Sequence, residues 1–236
     1  MFARRGEHSE GEGWLSVSDL MAGLMVFFLF IAILYIQPLQ RIKLNVEAIV
    51  QAWQEGELEI YNALQAEFED DLPRWNAQLD RNELTLRFNS PDVLFEAGDA
   101  ALRPEFEVIL SDFFPRYLAT LEPFYEASLI EEIRIEGHTS SDWVGVSEGE
   151  AYFRNMELSQ DRTRSVLQYA LELDGSSSHV GWARPLLTAN GLASSRPITD
   201  GDSSMEDPVR SRRVEFRVRT TTQNRLNEIL EQFEAE

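Results

Sequence analysis

The 236-residue chain is strongly acidic, with 21 Lys and Arg against 41 Asp and Glu and a formal net charge of −20 at pH 7. This charge excludes nucleic-acid binding through phosphate neutralisation, which needs clustered cationic side chains, and it disfavours attachment to an anionic lipid surface. With no Cys and only three His, the chain has no disulfide framework or thiolate metal site, and a His-rich metal centre is disfavoured.

The first predicted element is an apolar segment, Trp14–Ile36, which contains one charged residue in 23. At about 1.5 Å of rise per residue, a helix of this length crosses a hydrocarbon core of roughly 30 Å. Arg4 and Arg5 precede it, as they would in a signal peptide, but the run is too long for a signal core and no small-x-small cleavage pattern follows. We predict a retained transmembrane helix at residues 14–36, preceded by a short tail at residues 1–13.

Asp19 is the charged residue within this segment, and two interpretations of it remain open. A carboxylate inside a spanning helix costs about 2.5–3.5 kcal/mol on insertion scales, so it is a functional candidate by default. Alternatively, Ser18 and Asp19 cap a helix that begins at Leu20, which leaves a span at the lower length limit for crossing. Ala22 and Gly23, small residues near the acid, would allow close contact with another helix.

Residues 37–82 are predicted to form a helical linker, with a kink or break at Pro38. A three–four spacing of apolar residues indicates an amphipathic helix, with the stripe Leu39, Ile42, Val46, Ile49, Trp53 and Ile60. So short a stripe fits either a dimeric coiled coil or a helix packed on the next domain. The acidic run at residues 67–71 is predicted to be a solvated helix end, with calcium binding as the alternative. The same two alternatives apply to a later acidic loop containing Asp200, Asp202, Glu206 and Asp207.

Strands and helices alternate from about Glu83. The predicted elements are a strand with Leu84, Leu86 and Phe88 on one face, a helix from Pro104 to about Leu121, a strand at Ile130–Glu136, a helix at Asn155–Leu173 and a strand with Val214, Phe216 and Val218 on one face. This order predicts an α/β (α+β sandwich) domain at residues 83–220, with helices on one face of a mixed sheet. A C-terminal helix is predicted within residues 221–236.

Five motifs in this region, in the family's order, resemble OmpA-like peptidoglycan-binding domains. They are Val93–Gly98 with Leu102–Pro104, the I-x-I-x-G-H-T strand end at Ile133–Thr139, the N-x-x-L-S-x-x-R helix start at Asn155–Arg162, Ala189–Gly191 with Arg196–Ile198, and the R-R-V-E strand at Arg212–Phe216. The resemblance implies the OmpA-like fold, and it implies that the domain binds the bacterial cell wall.

The resemblance also implies which residues contact the wall. In that family, the Arg of the helix start and an Asp after the His-Thr pair hold the diaminopimelate group. Arg162 stands at the first position, and its guanidinium can pair bidentately with a carboxylate. The Asp position holds Ser140, so either Asp142 replaces it or the binding mode differs. Asn155, Leu158, His138 and Thr139 complete the candidate set, with a structural hydrogen-bonding role as the alternative for His138.

The transmembrane segment carries a second resemblance. From Asp19, the residues Met21, Met25, Phe27, Phe28 and Leu29 fit D-x-M-x-x-x-M-x-F-F-L, which resembles the flagellar stator subunit MotB and the related ZorB family of Zorya anti-phage systems. Gly-His-Thr-Ser-Ser at residues 137–141, the brief tail and the lack of a separate plug helix are more similar to ZorB.

That resemblance implies a motor subunit in the bacterial inner membrane, with its N-terminus in the cytoplasm and its C-terminal domain in the periplasm. Asp19 would carry a proton or sodium ion, without a cofactor, and two copies would pair inside a ring of a MotA-like (ZorA-like) multi-pass subunit. A flagellar stator and a non-motor OmpA-like tether are the alternatives. An enzyme is disfavoured, because Ser140, Ser141, His138 and Asp142 lie too close in sequence for a typical triad and no nucleophile elbow accompanies them.

Overall fold

The computed structural model describes residues 10–89, 94–96, 98–200 and 205–221. For residues 10–18, 38, 39, 41, 42, 44–50, 52 and 53 it describes the backbone alone. The chain forms two compact units, Met1–Ala52 and Trp53–Glu236, which are described separately below. The predicted C-terminal helix falls almost wholly outside the described residues.

The first helix, α1, is assigned to Glu10–Phe68. Within it, Asp19–Gln37 is the one helical stretch among the described residues that is long and apolar enough to cross a membrane, with a mean hydropathy of 2.4 and no buried residues. Asp19 lies more than two turns after the start of α1. The N-cap interpretation of Asp19 is therefore wrong, because a cap residue directly precedes the first turn. The predicted break at Pro38 is also absent, since the helical assignment continues through it.

The second unit is built on a five-stranded sheet. Its strands are β1 (Ala77–Asp80), β2 (Thr85–Phe88), β3 (Ile130–His138), β4 (Leu187–Gly191) and β5 (Arg213–Thr220), in the order β1-β2-β5-β3-β4. Only β3 and β4 pair in parallel, and all other neighbours are antiparallel. The mixed sheet of the predicted fold class is confirmed. Strand β1, however, falls in the segment predicted as helical linker.

Among the described residues of this unit, four further α-helices follow: α2 (Pro104–Glu126), α3 (Glu148–Glu172), α4 (Val180–Ala183) and α5 (Pro208–Ser211). Helix α2 starts at Pro104 as predicted and extends past Leu121 despite two internal prolines, because its buried face packs on the sheet. Helix α3 begins seven residues before the predicted start at Asn155. Ser147 caps it by accepting a hydrogen bond from the Glu150 amide at 3.3 Å.

An aromatic core fixes the helices against one face of the sheet. Phe216 of β5 lies 4.9 Å from Phe113 of α2 and 5.9 Å from Phe88 of β2, measured between ring centroids. The last turns of α1 join this core, since Ile60, Leu64 and Phe68 are buried there. For Ile60, the alternative of a helix packed on the domain is therefore correct. The side chains of all the stripe residues before it lie outside the described residues.

Candidate functional site

A cavity of about 460 Å³ opens where the end of β3, the first half of α3 and the loop before α2 meet. Its lining includes all the predicted binding residues except His138. The full lining is Phe95, Glu96, Gly98, Thr139, Ser140, Asp142, Trp143, Val144, Asn155, Leu158, Arg162 and Arg212. A site of this volume falls within the roughly 300–1,000 Å³ of pockets that enclose drug-sized ligands.

Two glycines let α3 approach the sheet closely enough to form this cavity. A Cβ atom on Gly191 of β4 would lie 2.3 Å from the backbone nitrogen of Gln160, and one on Gly137 of β3 would lie 2.9 Å from the carbonyl oxygen of Ser159. Both contacts are too short for any side chain. The glycines therefore position α3 so that Asn155 and Arg162 face the cavity.

Asn155 connects the helix to the end of β3. Its side-chain Nδ2 donates to the carbonyl oxygen of Ser140 at 3.0 Å, and both residues are buried. Nearby, the Ser159 hydroxyl accepts a hydrogen bond from the Ala193 amide at 3.1 Å. These bonds hold the segment after His138 in place, so the wall of the cavity is fixed before any ligand arrives.

Arg162 is the central cation of the cavity. Its Nε donates to the carbonyl oxygen of Asp99 at 2.8 Å and its Nη2 to that of Glu96 at 3.0 Å, while the guanidinium lies 4.7 Å from the Phe95 ring centroid. Burial, together with a smaller effect of Arg212, lowers the pKa of Arg162 to about 10, and Asp99 partly opposes this shift. The side chain thus remains charged at neutral pH, and no hydrogen bond described for it uses Nη1.

Asp99, Asp142 and Arg212 are ionisable groups near this cation. The Asp99 carboxylate accepts hydrogen bonds from the Ala100 and Ala101 amides at 2.6 and 3.0 Å, which lower its pKa. Asp142 lines the cavity and is exposed. Across the described residues, neither the Asp142 carboxylate nor the Arg212 guanidinium takes part in a hydrogen bond or an ion pair. Both groups therefore remain available to a ligand.

Several residues that line this cavity are not among the ligand contacts predicted from the sequence. Phe95, Glu96, Gly98 and Arg212 belong to recognised motifs, so their motif membership was the available signal. Trp143 and Val144 stand in a loop that no motif covers, and no sequence signal placed them beside Arg162. Ser141, adjacent to the predicted Ser140, instead binds the Glu206 carboxylate through its amide at 3.1 Å and through its hydroxyl.

His138 lies in a charged cluster on the sheet face opposite the aromatic core. Its Nε2 lies 3.5 Å from Glu215 Oε2 and 4.0 Å from Glu136 Oε2. Burial lowers the pKa of His138. Although burial opposes ionisation of Glu215, contacts with His138 and Arg213 hold the pKa of that carboxyl well below its usual range.

The ligand atoms of Glu136, His138 and Glu215 lie within 4.8 Å of one another, a spacing that could hold a metal ion. The negative charges of the two carboxylates are already balanced by neighbouring guanidinium groups. Glu215 Oε1 accepts from Arg87 Nε at 2.7 Å and from Arg213 Nε at 2.6 Å. Further cations near Glu136 are Arg196 and Arg217, each 3.4 Å from Oε2. This arrangement favours a structural ion network, and among the described residues no Ser hydroxyl bonds His138 as a triad would require.

The two acidic segments considered for calcium have other partners. Asp71 is buried, which corrects the prediction of a wholly solvated run, because Arg116 of α2 pairs with it at 2.8 Å and with Glu67 at 2.6 Å. In the later loop, Asp207 caps α5 by accepting from the Val209 and Arg210 amides. Asp202 lies outside the described residues.

The chain was compared with known proteins. No family model matches it. Among solved structures it is similar to a putative MotB-like protein from Desulfovibrio vulgaris (28% identity, 71% of this chain and 93% of that chain, TM-score 0.48). It is also similar to the cell wall anchor of the T6SS from Pseudomonas aeruginosa (22%, 66% and 96%, 0.45) and to the periplasmic domain of Helicobacter pylori MotB (18%, 63% and 84%, 0.42).

A curated relative covers nearly the whole chain. The Zorya protein ZorB of Escherichia coli is 46% identical over 224 residues, which make up 94% of this chain and 94% of the relative. The aligned region spans both units, so the likeness extends from the apolar helix through the domain with the Arg162 cavity. Identity at this level over this length shows that the chain belongs to the ZorB family.

Proposed function

We propose that this protein is the peptidoglycan-anchored, ion-carrying B subunit of a rotary membrane motor that is driven by protons or sodium ions and acts in anti-phage defence. The observation that carries the proposal is the position of Asp19, an exposed carboxylate inside α1 at the first residue of the apolar span. Membership in the ZorB family and the guanidinium-lined cavity support it.

In this motor, Asp19 takes up an ion from outside and releases it inwards. A carboxylate facing lipid is costly, so Asp19 needs a protein surface, which a second copy of the chain and a surrounding ring of MotA-like subunits would supply. One elementary charge crossing 100 mV releases about 2.3 kcal/mol, enough to bias an element with two packing states. The transported ion is the only cofactor that this mechanism requires.

The second half of the proposal is the anchor, a periplasmic domain that follows a cytoplasmic N-terminus and the inner-membrane span. Arg162 would donate from Nη1 to a carboxylate of the peptidoglycan peptide stem, since Nε and one hydrogen of Nη2 are held by backbone carbonyls. Asp142 would bind the amine of the peptide stem, replacing the family's Asp, whose position in this chain holds Ser140. This assignment uses the one acid lining the cavity that makes no described ion pair, because Glu96 lies 3.7 Å from Arg103.

The ion-carrying role is tested by phage plating on cells that express the native gene cluster, with Asp19→Asn compared with wild type at matched membrane levels. We expect Asp19→Asn to abolish protection, because the amide cannot exchange an ion. Asp19→Glu, which keeps a carboxylate, is the matched control and should retain part of the protection. Full protection by Asp19→Asn would contradict the motor and favour a passive tether. If wild type gives no protection, swimming assays would test the flagellar alternative.

The anchor is tested by co-sedimentation of the full chain in detergent with purified peptidoglycan. Arg162→Gln and Asp142→Asn should each weaken binding about tenfold or more, because a hydrogen bond to a charged group contributes roughly 1.5–3 kcal/mol. Arg164→Gln is the control, since Arg164 lies on the same helix with its side chain 79% exposed. Equal binding by all three variants would show that the cavity is not the wall-binding site.

A further inference from the structure

We propose that Trp143 is a platform for a sugar ring of the peptidoglycan fragment whose peptide stem binds at Arg162. The inference rests on the proposed function and adds the glycan as a second substrate class at the same site. Trp143 lines the cavity together with Asp142 and Val144. It is partly exposed, so part of the indole is open to a ligand.

The indole is held from within the protein. The Arg154 guanidinium lies 5.7 Å from the Trp143 ring centroid, and its Nη2 donates to Glu150 Oε1 at 2.5 Å. A cation beside an aromatic ring is an attractive contact, and the ion pair fixes that cation. The platform is therefore positioned by α3, the same helix that carries Arg162.

The loop tip beyond the indole is apolar and open. Val144 is 97% exposed, and Gly145 adopts φ +83°, a left-handed conformation that turns the chain back towards α3. Exposing a valine this completely places apolar surface at the mouth of the cavity. A ligand that leaves the cavity past this mouth would cover both Trp143 and Val144.

The chemistry of the cavity changes from one side to the other. Arg162 and Arg212 are cationic and suit the carboxylates of a peptide, whereas Trp143 and Val144 present an apolar surface. A pyranose ring offers a face of C–H groups that packs on an indole, while its hydroxyls remain free for water or for Asp142. A peptide and its attached sugar together also suit the 460 Å³ cavity better than one amino-acid side chain would.

The test compares two soluble probes on the full chain in detergent: a wall-derived disaccharide-tetrapeptide and the same tetrapeptide without its sugars. We expect wild type to bind the disaccharide form more tightly by roughly 3- to 10-fold, the scale of an aromatic stacking contact. Trp143→Ala should remove this preference, so that the two probes bind with similar affinities, and Trp143→Phe should keep most of it. Phe153→Ala is the matched control, because Phe153 is 73% exposed and is absent from the lining residues.

The outcomes separate the inference from the proposed function. If wild type binds both probes equally, or if Trp143→Ala weakens both by the same factor, the sugar platform is overturned while wall anchoring stands. If wild type binds neither probe, the anchoring proposal fails and the platform fails with it.

Discussion

Replacing Gly191 by alanine is expected to destabilise the domain, because β4 and α3 touch at this position through their backbones. The added Cβ would lie 2.3 Å from the Gln160 nitrogen and 2.7 Å from its Cα. Neither atom can move without moving α3. Overpacking typically costs 1–3 kcal/mol, and a backbone clash without a flexible partner belongs at the upper end, about 3 kcal/mol. At this domain size that corresponds to a fall in melting temperature of about 6–12 °C.

The assay is thermal unfolding of the full chain in detergent, followed by tryptophan fluorescence. Gly181→Ala is the matched control, because nothing lies within 4 Å of its new Cβ in α4. That variant should be stabilised by about 0.4–1 kcal/mol through reduced entropy of the unfolded chain. Binding of the tetrapeptide should weaken in Gly191→Ala alone, since a displaced α3 carries Arg162 with it. Identical melting temperatures for the two variants would refute the close approach.

Two further predictions concern ion pairs. Glu215→Gln should lower the free energy of unfolding by about 3 kcal/mol, because it leaves buried Arg213 without its anionic partner, whereas Glu83→Gln at the rim should cost under about 1 kcal/mol. Folding lowers the pKa of Glu215. Its contribution to the free energy of unfolding is therefore present above its ordinary pKa of 4.5 and is lost as pH falls below that value. In acid unfolding titrations, the stability of Glu215→Gln should accordingly depend less on pH in this range than the stability of wild type. Arg116→Met should cost about 1–2 kcal/mol by releasing Asp71 and Glu67, and Arg164→Met should stay within about 0.5 kcal/mol of wild type in urea unfolding.

Much of the fold was predictable because its strands alternate clearly. Leu86 and Phe88 in β2, and Val214 and Phe216 in β5, gave the period of two that a half-buried strand requires. Strand β1 was missed because its sequence, Ala-Gln-Leu-Asp, contains no β-branched or aromatic residue of the kind that marks β2. Its turn carries the only local signal, the Asp80 carboxylate that accepts hydrogen bonds from the Asn82 and Glu83 amides.

The start of α3 was predictable but was overlooked. Ser147 and Glu150 stand at the spacing of a capping box, and the Ser147 side chain does accept a hydrogen bond from the Glu150 amide. By contrast, the burial of Asp71 depends on Arg116, a residue far along the chain. No local pattern predicts such a contact, so an acidic run was reasonably expected to be solvated.

The residues of the candidate site also fall into two groups, those that the sequence predicts and those that only the tertiary fold brings together. Arg162, Asn155 and Leu158 share one helix, and their spacing alone indicates a common face. Trp143 and Arg212 reach the cavity from a loop and from the residue before β5, so only the tertiary fold brings them together. The N-cap interpretation of Asp19 likewise depended on where α1 begins, and helix boundaries are poorly specified by an apolar run without a clear cap.

The net charge that excludes nucleic acid does not exclude the anionic ligand proposed here. At physiological ionic strength the Debye length is about 8 Å, so repulsion from acids elsewhere on the surface is largely screened at the mouth of the cavity. Inside it, Arg162 and Arg212 act at hydrogen-bonding distance, where salt screens far less, and the nearby Asp99 carboxylate is held by the Ala100 and Ala101 amides. A long polyanion would have to cover acidic surface beyond this cavity, whereas a small carboxylate needs only the two guanidinium groups. The acidic composition therefore restricts the size of the anion that can bind and leaves its carboxylate chemistry permitted.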